Sequence, residues 1–418
     1  MIVIAGMSCH FPGAEGLDAY WRLIKENQSA TGDPPPHRSE FIRVASELQI
    51  PVRGGYIAHE NTFDAELLHI PEREVLGMDP QQKLVLTHAC NALADAGLTI
   101  DAVKGSRTGV FVGAMANDLA YLQFGDVTNI EAVNVTGNGL CMIANRLSYE
   151  LDLHGPSMTV DTACSSSLVA VHQAVRALRD HECDLALVAG VNVILSTLLQ
   201  KFYQMMGVGS PDGNCRSFSQ QANGIGRAEG VGVLVLCREA DLPAARRSRI
   251  CYATVGGSQV NHGGQTSRFT APSIQAQVAL LQKTYAQADI QPHEVAYVEG
   301  HGTGTRQGDL MEIKALQEVF KGRQSACPLG SVKSLISHTE AASGMAGLIK
   351  IALMLHHRHV PASAYADSPA PLLDASSPVQ LIPDARTLSP RHRHHMGVSS
   401  FGIGGTNAHV VLTSHMAG

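Results

Sequence analysis

Two widely separated stretches of this chain share one layout: an apolar strand, a short polar turn carrying reactive side chains, then an amphipathic helix. The first runs from Met158–Val160 through Asp161-Thr162-Ala163-Cys164 into a helix reaching Arg179, with Leu168, Val171, Val175 and Leu178 at three- and four-residue spacing. The second runs from Leu329–Val332 through Lys333–His338 into a helix reaching His356, with Met345, Leu348, Ile349, Ala352 and Leu355 on its expected buried side. A helix with one apolar face that follows a strand must pack back onto a sheet. Further strands read at 109–112, 185–188, 232–236, 253–256, 296–299 and 409–412. Strands alternating with helices call for a layered α/β architecture, and the shared layout hints at a duplicated unit.

Composition narrows the class. Only 16% of the 418 residues are charged, 44% are hydrophobic, and the formal net charge is −6. So few charges point to extensive buried surface, including an interface between copies, and a mildly acidic chain has no phosphate-seeking field for nucleic acid. The apolar start is broken at Gly6 and has no basic leader, and the runs 185–195 and 344–355 are too short to span a bilayer. A cytoplasmic protein without membrane contact is expected. Nine cysteines without a C-x-x-C spacing fit reduced, mostly buried thiols better than a disulfide frame or a zinc site, and no metal is expected. The stretches 32–37, 363–378 and 391–395 read as surface loops.

Cys164 stands where a strand turns into a helix. The free N–H groups of that helix start favour a thiolate, and the Cys164 N–H can face a developing oxyanion. Such a nucleophile needs a base from elsewhere in the fold. Glu299-Gly300-His301-Gly302-Thr303-Gly304-Thr305 supplies one imidazole, and Lys333-Ser334-Leu335-Ile336-Ser337-His338-Thr339-Glu340 a second, with Lys333 and Glu340 close enough to orient it. A thiol and two imidazoles form an acyl-transfer set. Phe401-Gly402-Ile403-Gly404-Gly405 reads as a tight turn bringing the Phe401 backbone near the cysteine, and 224–230 as a turn feeding the next strand. Neither a dinucleotide nor a P-loop fingerprint is present.

Together, DTACSSS, EGHGTGT, SVKSLISHTEAASG and GVSSFGIGGTNAHVVL, in this order, resemble the β-ketoacyl synthase family, in particular ketosynthases of modular polyketide synthases. The resemblance covers nearly the whole chain. It implies a thiolase-like αβαβα stack of two related halves, residues 1–245 with the nucleophile and 246–418 with both histidines, assembled as a homodimer. It also implies that Cys164 accepts an acyl chain from the phosphopantetheine arm of an acyl carrier protein, no cofactor being bound. His301 and His338 then assist decarboxylation of a malonyl-type thioester and the Claisen condensation that follows. Lys333 tunes His338, Glu340 braces it, Cys164 and Phe401 N–H groups hold the oxyanion, Phe401 gates the acyl pocket, and Thr303 and Thr305 bind pantetheine.

Departures from the family pattern mark this chain. Where relatives commonly read K-S-N-I-G-H, it has Leu335 and Ser337. Gly300 replaces an Ala, Arg306-Gln307 a Pro-Leu, Ala228 a Gly, and 214–219 reads N-C-R-S-F-S in place of R-x-x-P-F-D. A hydroxyl at Ser337 is expected to reach His338 or a substrate oxygen. The chain resembles a free-standing ketosynthase meeting its carrier in trans. The alternative to chain extension is cyclising release of a carrier-bound β-ketoacyl thioester by aldol attack and lactonisation.

Overall fold

The computed structural model describes residues 1–58, 63–125, 128, 130–242 and 252–415. Its strands are β1 (Ile2–Phe11), β2 (Ala14–Glu15), β3 (Thr108–Gly113), β4 (Ser157–Val160), β5 (Leu185–Asn192), β6 (Gly230–Arg238), β7 (Ala253–His262), β8 (Val295–Glu299), β9 (Cys327–Gly330), β10 (His359–Val360), β11 (Val379–Leu381), β12 (Arg386–Thr387), β13 (His395–Phe401) and β14 (Thr406–Thr413). One continuous sheet runs β11-β9-β8-β13-β14-β7-β1-β6-β5-β3-β4, with β2 added on β1.

The duplication hinted at by the sequence is visible in the pairing. Going outward from β1, strands β6 and β5 follow antiparallel, then β3 and β4 parallel. Going outward from β7, strands β14 and β13 follow antiparallel, then β8 and β9 parallel. The two halves meet where Ile2–Ile4 of β1 pairs antiparallel with Ala253–Val255 of β7. The expected boundary at 245/246 lies outside the described residues, as does Cys251.

Helices Ser166–Arg179 and Ser343–His356 touch each other and strands of both halves, so they form the middle layer. Helix Pro80–Asp95 covers β1, β5 and β6 from outside, and Ile274–Gln287 covers β7 and β14. The result is the αβαβα stack of two related halves. The central apolar cluster draws Ile4, Leu168 and Leu234 from one half and Ile349, Val398 and Leu412 from the other.

That placement explains one difference from the sequence reading. Helix Ser343–His356 is buried at every residue from Ser343 to Leu355, not along one face, because both halves of the sheet and its partner helix enclose it. Its one charge, Lys350, survives there by pairing with Glu299 Oε2 at 2.7 Å and Tyr297 Oη at 2.8 Å. Glycines let the other central helix sit close: a Cβ on Gly113 would lie 2.4 Å from Ser167 N, and one on Gly190 2.7 Å from Ser167 Cβ. A second difference concerns 391–395, where His395 already opens β13. Six of the eight described cysteines are buried and all eight are unpaired.

Candidate active site

Cys164 sits on a tightly stapled turn at the end of β4. Ala163 adopts a left-handed φ of 56°, and its N–H donates to Asp161 Oδ1 at 2.9 Å. Ser165 Oγ donates to Thr162 O at 2.8 Å, and Thr162 N–H to Ser166 Oγ at 2.9 Å. The Cys164 carbonyl accepts from Ser400 Oγ at 2.6 Å and from Ser343 Oγ at 3.2 Å, which ties the nucleophile to β13 and to the second central helix. The sequence favours a resting thiolate; the structure favours the thiol. Burial pushes the Cys164 pKa up to about 12 and the Glu340 charge adds to this, outweighing Lys333 and the N–H groups of Cys164 and Ile403. A neighbouring base must therefore take the proton as the sulfur reacts.

His301 is delivered by the loop leaving β8. Two carboxylates hold that loop: Glu312 accepts the N–H groups of His301 (2.7 Å) and Gly302 (2.9 Å), and Asp309 accepts those of Gly304 (3.1 Å) and Phe218 (2.6 Å). Burial pushes both acids up to about 7. Sequence reasoning missed this pair. The available signal was two acids three residues apart on the face of helix Arg306–Val319 that also carries Ile313 and Leu316.

His338 is fixed by its backbone and by one ring nitrogen. Its N–H donates to Gly226 O and its carbonyl accepts from Ala228 N–H, both at 2.7 Å. The Glu340 backbone N–H donates to His338 Nδ1 at 2.8 Å, so the neutral ring carries its proton on Nε2, which has no partner. The Glu340 carboxylate does not touch the ring. It is clamped by Arg227 through Nε–Oε1 at 2.5 Å and Nη2–Oε2 at 2.9 Å, a pair almost wholly buried, with Tyr203 Oη donating at 3.3 Å. The segment 224–230 thus feeds β6 as expected and also carries this clamp. Burial and the Lys333 charge hold both His301 and His338 well below the usual histidine range, so both rings are neutral at physiological pH.

These elements converge. The donor atoms of Cys164, His301 and His338 lie within 4.8 Å of one another. The two imidazole rings stand edge to face with centroids 5.5 Å apart, and the Phe401 ring lies 5.5 Å from His301. One cavity of about 300 Å³ is lined by all four, together with Thr303 and Thr305. The two threonine hydroxyls hydrogen-bond each other at 3.0 Å. Because Gly402 N–H pairs with Thr406 O at 2.8 Å, the ladder alternation makes Phe401–Asn407 a non-hydrogen-bonded pair and leaves the Phe401 N–H unspent on β14.

Leu335 and Ser337 do not join the site. Leu335 packs into the central apolar cluster, away from the cavity. Ser337 Oγ pairs with Thr31 Oγ1 at 2.8 Å and donates to Gly213 O at 2.7 Å, leaving no bond to His338. Its backbone, at φ 64° and ψ −172°, lies in a region that only glycine adopts without strain. That accounts for the glycine in the family pattern, and the two hydroxyl contacts offset part of the strain here.

Family models match two consecutive stretches, "Beta-ketoacyl synthase, N-terminal domain" at residues 1–241 and "Beta-ketoacyl synthase, C-terminal domain" at residues 252–367. The chain belongs to the β-ketoacyl synthase family. It is 41% identical over 426 residues to the polyketide synthase GfsE of Streptomyces halstedii, covering 98% of this chain and 11% of that protein. It is 37% identical to polyketide synthase PksN of Bacillus subtilis, covering 99% of this chain and 8% of that one. This ketosynthase therefore spans only a small part of the length of either relative. The ketosynthase from module 6 of the bacillaene synthase of Bacillus subtilis superposes with a TM-score of 0.91 at 34% identity, covering all of this chain and 72% of that one. An oxazolomycin ketosynthase domain of Streptomyces albus gives the same TM-score and identity over all of this chain and 76% of its own. The fold is therefore thiolase-like, and Cys164, His301 and His338 form the Cys-His-His triad. Among the described residues, no helix is long and apolar enough to cross a membrane.

Proposed function

We propose that this ketosynthase accepts an acyl chain from the phosphopantetheine thiol of an acyl carrier protein onto Cys164 and extends it by decarboxylative Claisen condensation. The carrying observation is the single cavity in which a buried thiol and two neutral imidazoles meet. In the first step the sulfur attacks the thioester carbonyl, its proton passes to His301, and the carrier thiol leaves protonated. Oxyanion charge falls on the N–H groups of Cys164 and Ile403, the two backbone donors that reach the sulfur, where the family pattern pointed to Phe401. In the second step a malonyl-type thioester occupies the same cavity with its carbonyl oxygen on His338 Nε2–H. Loss of carbon dioxide leaves its electron pair as an enolate that this N–H stabilises. The enolate carbon attacks the acyl-Cys164 carbonyl, a carbon–carbon bond forms, and the Cys164 sulfur leaves as a thiolate that takes from water the one proton decarboxylation consumes.

The remaining residues act around that centre. Burial, with the Lys333 charge added to it, keeps both rings neutral, and Glu340 presents its backbone N–H to His338 while Arg227 holds its carboxylate. Thr303 and Thr305 line the path of the pantetheine arm, and Phe401, beside His301, gates it. Residues 1–245 and 246–418 act as two halves of one unit. Cyclising release drew its support from Leu335 and Ser337, whose side chains lie away from the sulfur, and no other observation favours it.

A carrier protein is the proposed partner, and a second copy of the chain another. Support for the second copy comes from β4, an end strand of the sheet whose Met158 is 39% exposed, and from the exposed Leu198 and Met205. The free thiols of the eight described cysteines support a cytoplasmic location.

The test is intact mass spectrometry after incubation with butyryl-phosphopantetheine carrier protein. We expect the wild type to gain one butyryl group and Cys164→Ala none. Equal gain by both, or none by the wild type, would overturn the reading.

A further inference from the structure

The cavity that holds the triad is lined by one permanently cationic side chain, Arg268, and it stands at the exposed rim. The acids of the same lining, Asp309 and Glu312, are buried at the floor and each accepts two backbone N–H groups, so neither is available to Arg268. Among the described residues no carboxylate pairs with the Arg268 guanidinium. Its backbone is nevertheless well anchored: the Arg268 carbonyl accepts from Thr266 Oγ1 at 2.6 Å and from Ala271 N–H at 2.9 Å. The loop it belongs to, between β7 and helix Ile274–Gln287, is tied to the Phe401 turn by Gly263 N–H on Gly405 O at 2.8 Å and by His262 Nε2 against Gly404 O at 2.9 Å. An unpaired guanidinium is thus presented from a braced loop at the entrance to a reactive thiol.

We propose that Arg268 is a positioning residue that holds the phosphate at the far end of a phosphopantetheine arm while its thioester lies on Cys164. This rests on the acyl-transfer reading above. The arm carries its thioester at one end and its phosphate at the other. With the sulfur at the floor, the anionic end falls at the rim, where a guanidinium fork matches phosphate oxygens. The polar middle of the arm then passes Thr303 and Thr305. A carboxylate at the end of an acyl chain offers related chemistry, and the test separates the two sources.

The measurement is the kcat/KM for transfer of a butyryl group to Cys164 from S-butyryl-pantetheine 4′-phosphate and from S-butyryl-pantetheine, in the full chain, Arg268→Gln and Arg268→Lys. In the wild type we expect the phosphorylated donor to be favoured at least fivefold through KM, with the preference shrinking at high salt. In Arg268→Gln that ratio should fall to within twofold of one, and Arg268→Lys should recover part of it. A ratio unchanged by Arg268→Gln, or no preference in the wild type, overturns the proposal. So does a parallel pair of donors, butyryl and succinyl on pantetheine, if Arg268→Gln alters only the succinyl preference. Failure of the wild type to load from any donor is a different result, and it overturns the acyl-transfer reading itself.

Discussion

At the scale of single residues, function depends on which neighbours a side chain is given. Cys164, His301 and His338 were legible because each stands at a strand end inside a motif of small residues. Their support was not. Arg227 and Asp309 take partners from distant segments, Glu340 and Phe218, and Glu312 takes its partners across a loop whose path the sequence does not show. Ser337 teaches the same lesson in reverse: beside His338 in sequence, it points to Thr31 and Gly213 in space because its backbone turns through φ 64°. Ser337→Gly relieves strain of about 1–3 kcal/mol and loses two hydrogen bonds of about 1 kcal/mol each. We therefore expect its urea midpoint to correspond to wild-type stability within about 1 kcal/mol, with the condensation product unchanged. A switch from extended to ring-closed product would show that the hydroxyl acts on the chemistry after all.

At the scale of elements, two backbone contacts place the nucleophile. The helix Ser166–Arg179 approaches β3 and β5 through Gly113 and Gly190, and the Cys164 carbonyl is held from β13 and the second central helix. The strands and helices themselves followed from periodicity, since a one-sided helix after a strand has few alternatives. The full burial of Ser343–His356 did not follow, because a helix enclosed by the two halves of one sheet needs no polar face and its pattern names only one contact side. Gly113→Ala would drive a methyl into Ser167 N at 2.4 Å, against backbone that cannot rotate away. We expect a loss of about 1–3 kcal/mol in urea unfolding together with slower loading of Cys164. Gly404→Ala, with nothing within 4 Å of its Cβ, is the control, expected within about 0.5 kcal/mol of wild type. Equal effects of the two substitutions would refute the close-approach explanation.

At the scale of the whole molecule, the duplicated halves meet along β1 and β7 and share a single central cluster, so the triad draws its cysteine from one half and its histidines from the other. Among the described residues β4 pairs on one side only, and that open side, where Met158 is exposed, is where a second copy is expected. Sedimentation equilibrium should give twice the chain mass, and a Met158→Lys substitution should shift the balance toward one chain. A monomer at micromolar concentration in the wild type would remove that expectation.

The proposed reaction places both acyl transfer and carbon–carbon bond formation in one cavity. Its most direct measurement uses the butyryl-loaded protein and a malonyl carrier thioester labelled in the free carboxylate. We expect one labelled carbon dioxide for each 3-oxohexanoyl thioester formed, with the butyryl group leaving Cys164 at the same rate. Persistence of the butyryl enzyme, or carbon dioxide released without the extended product, would contradict the claim.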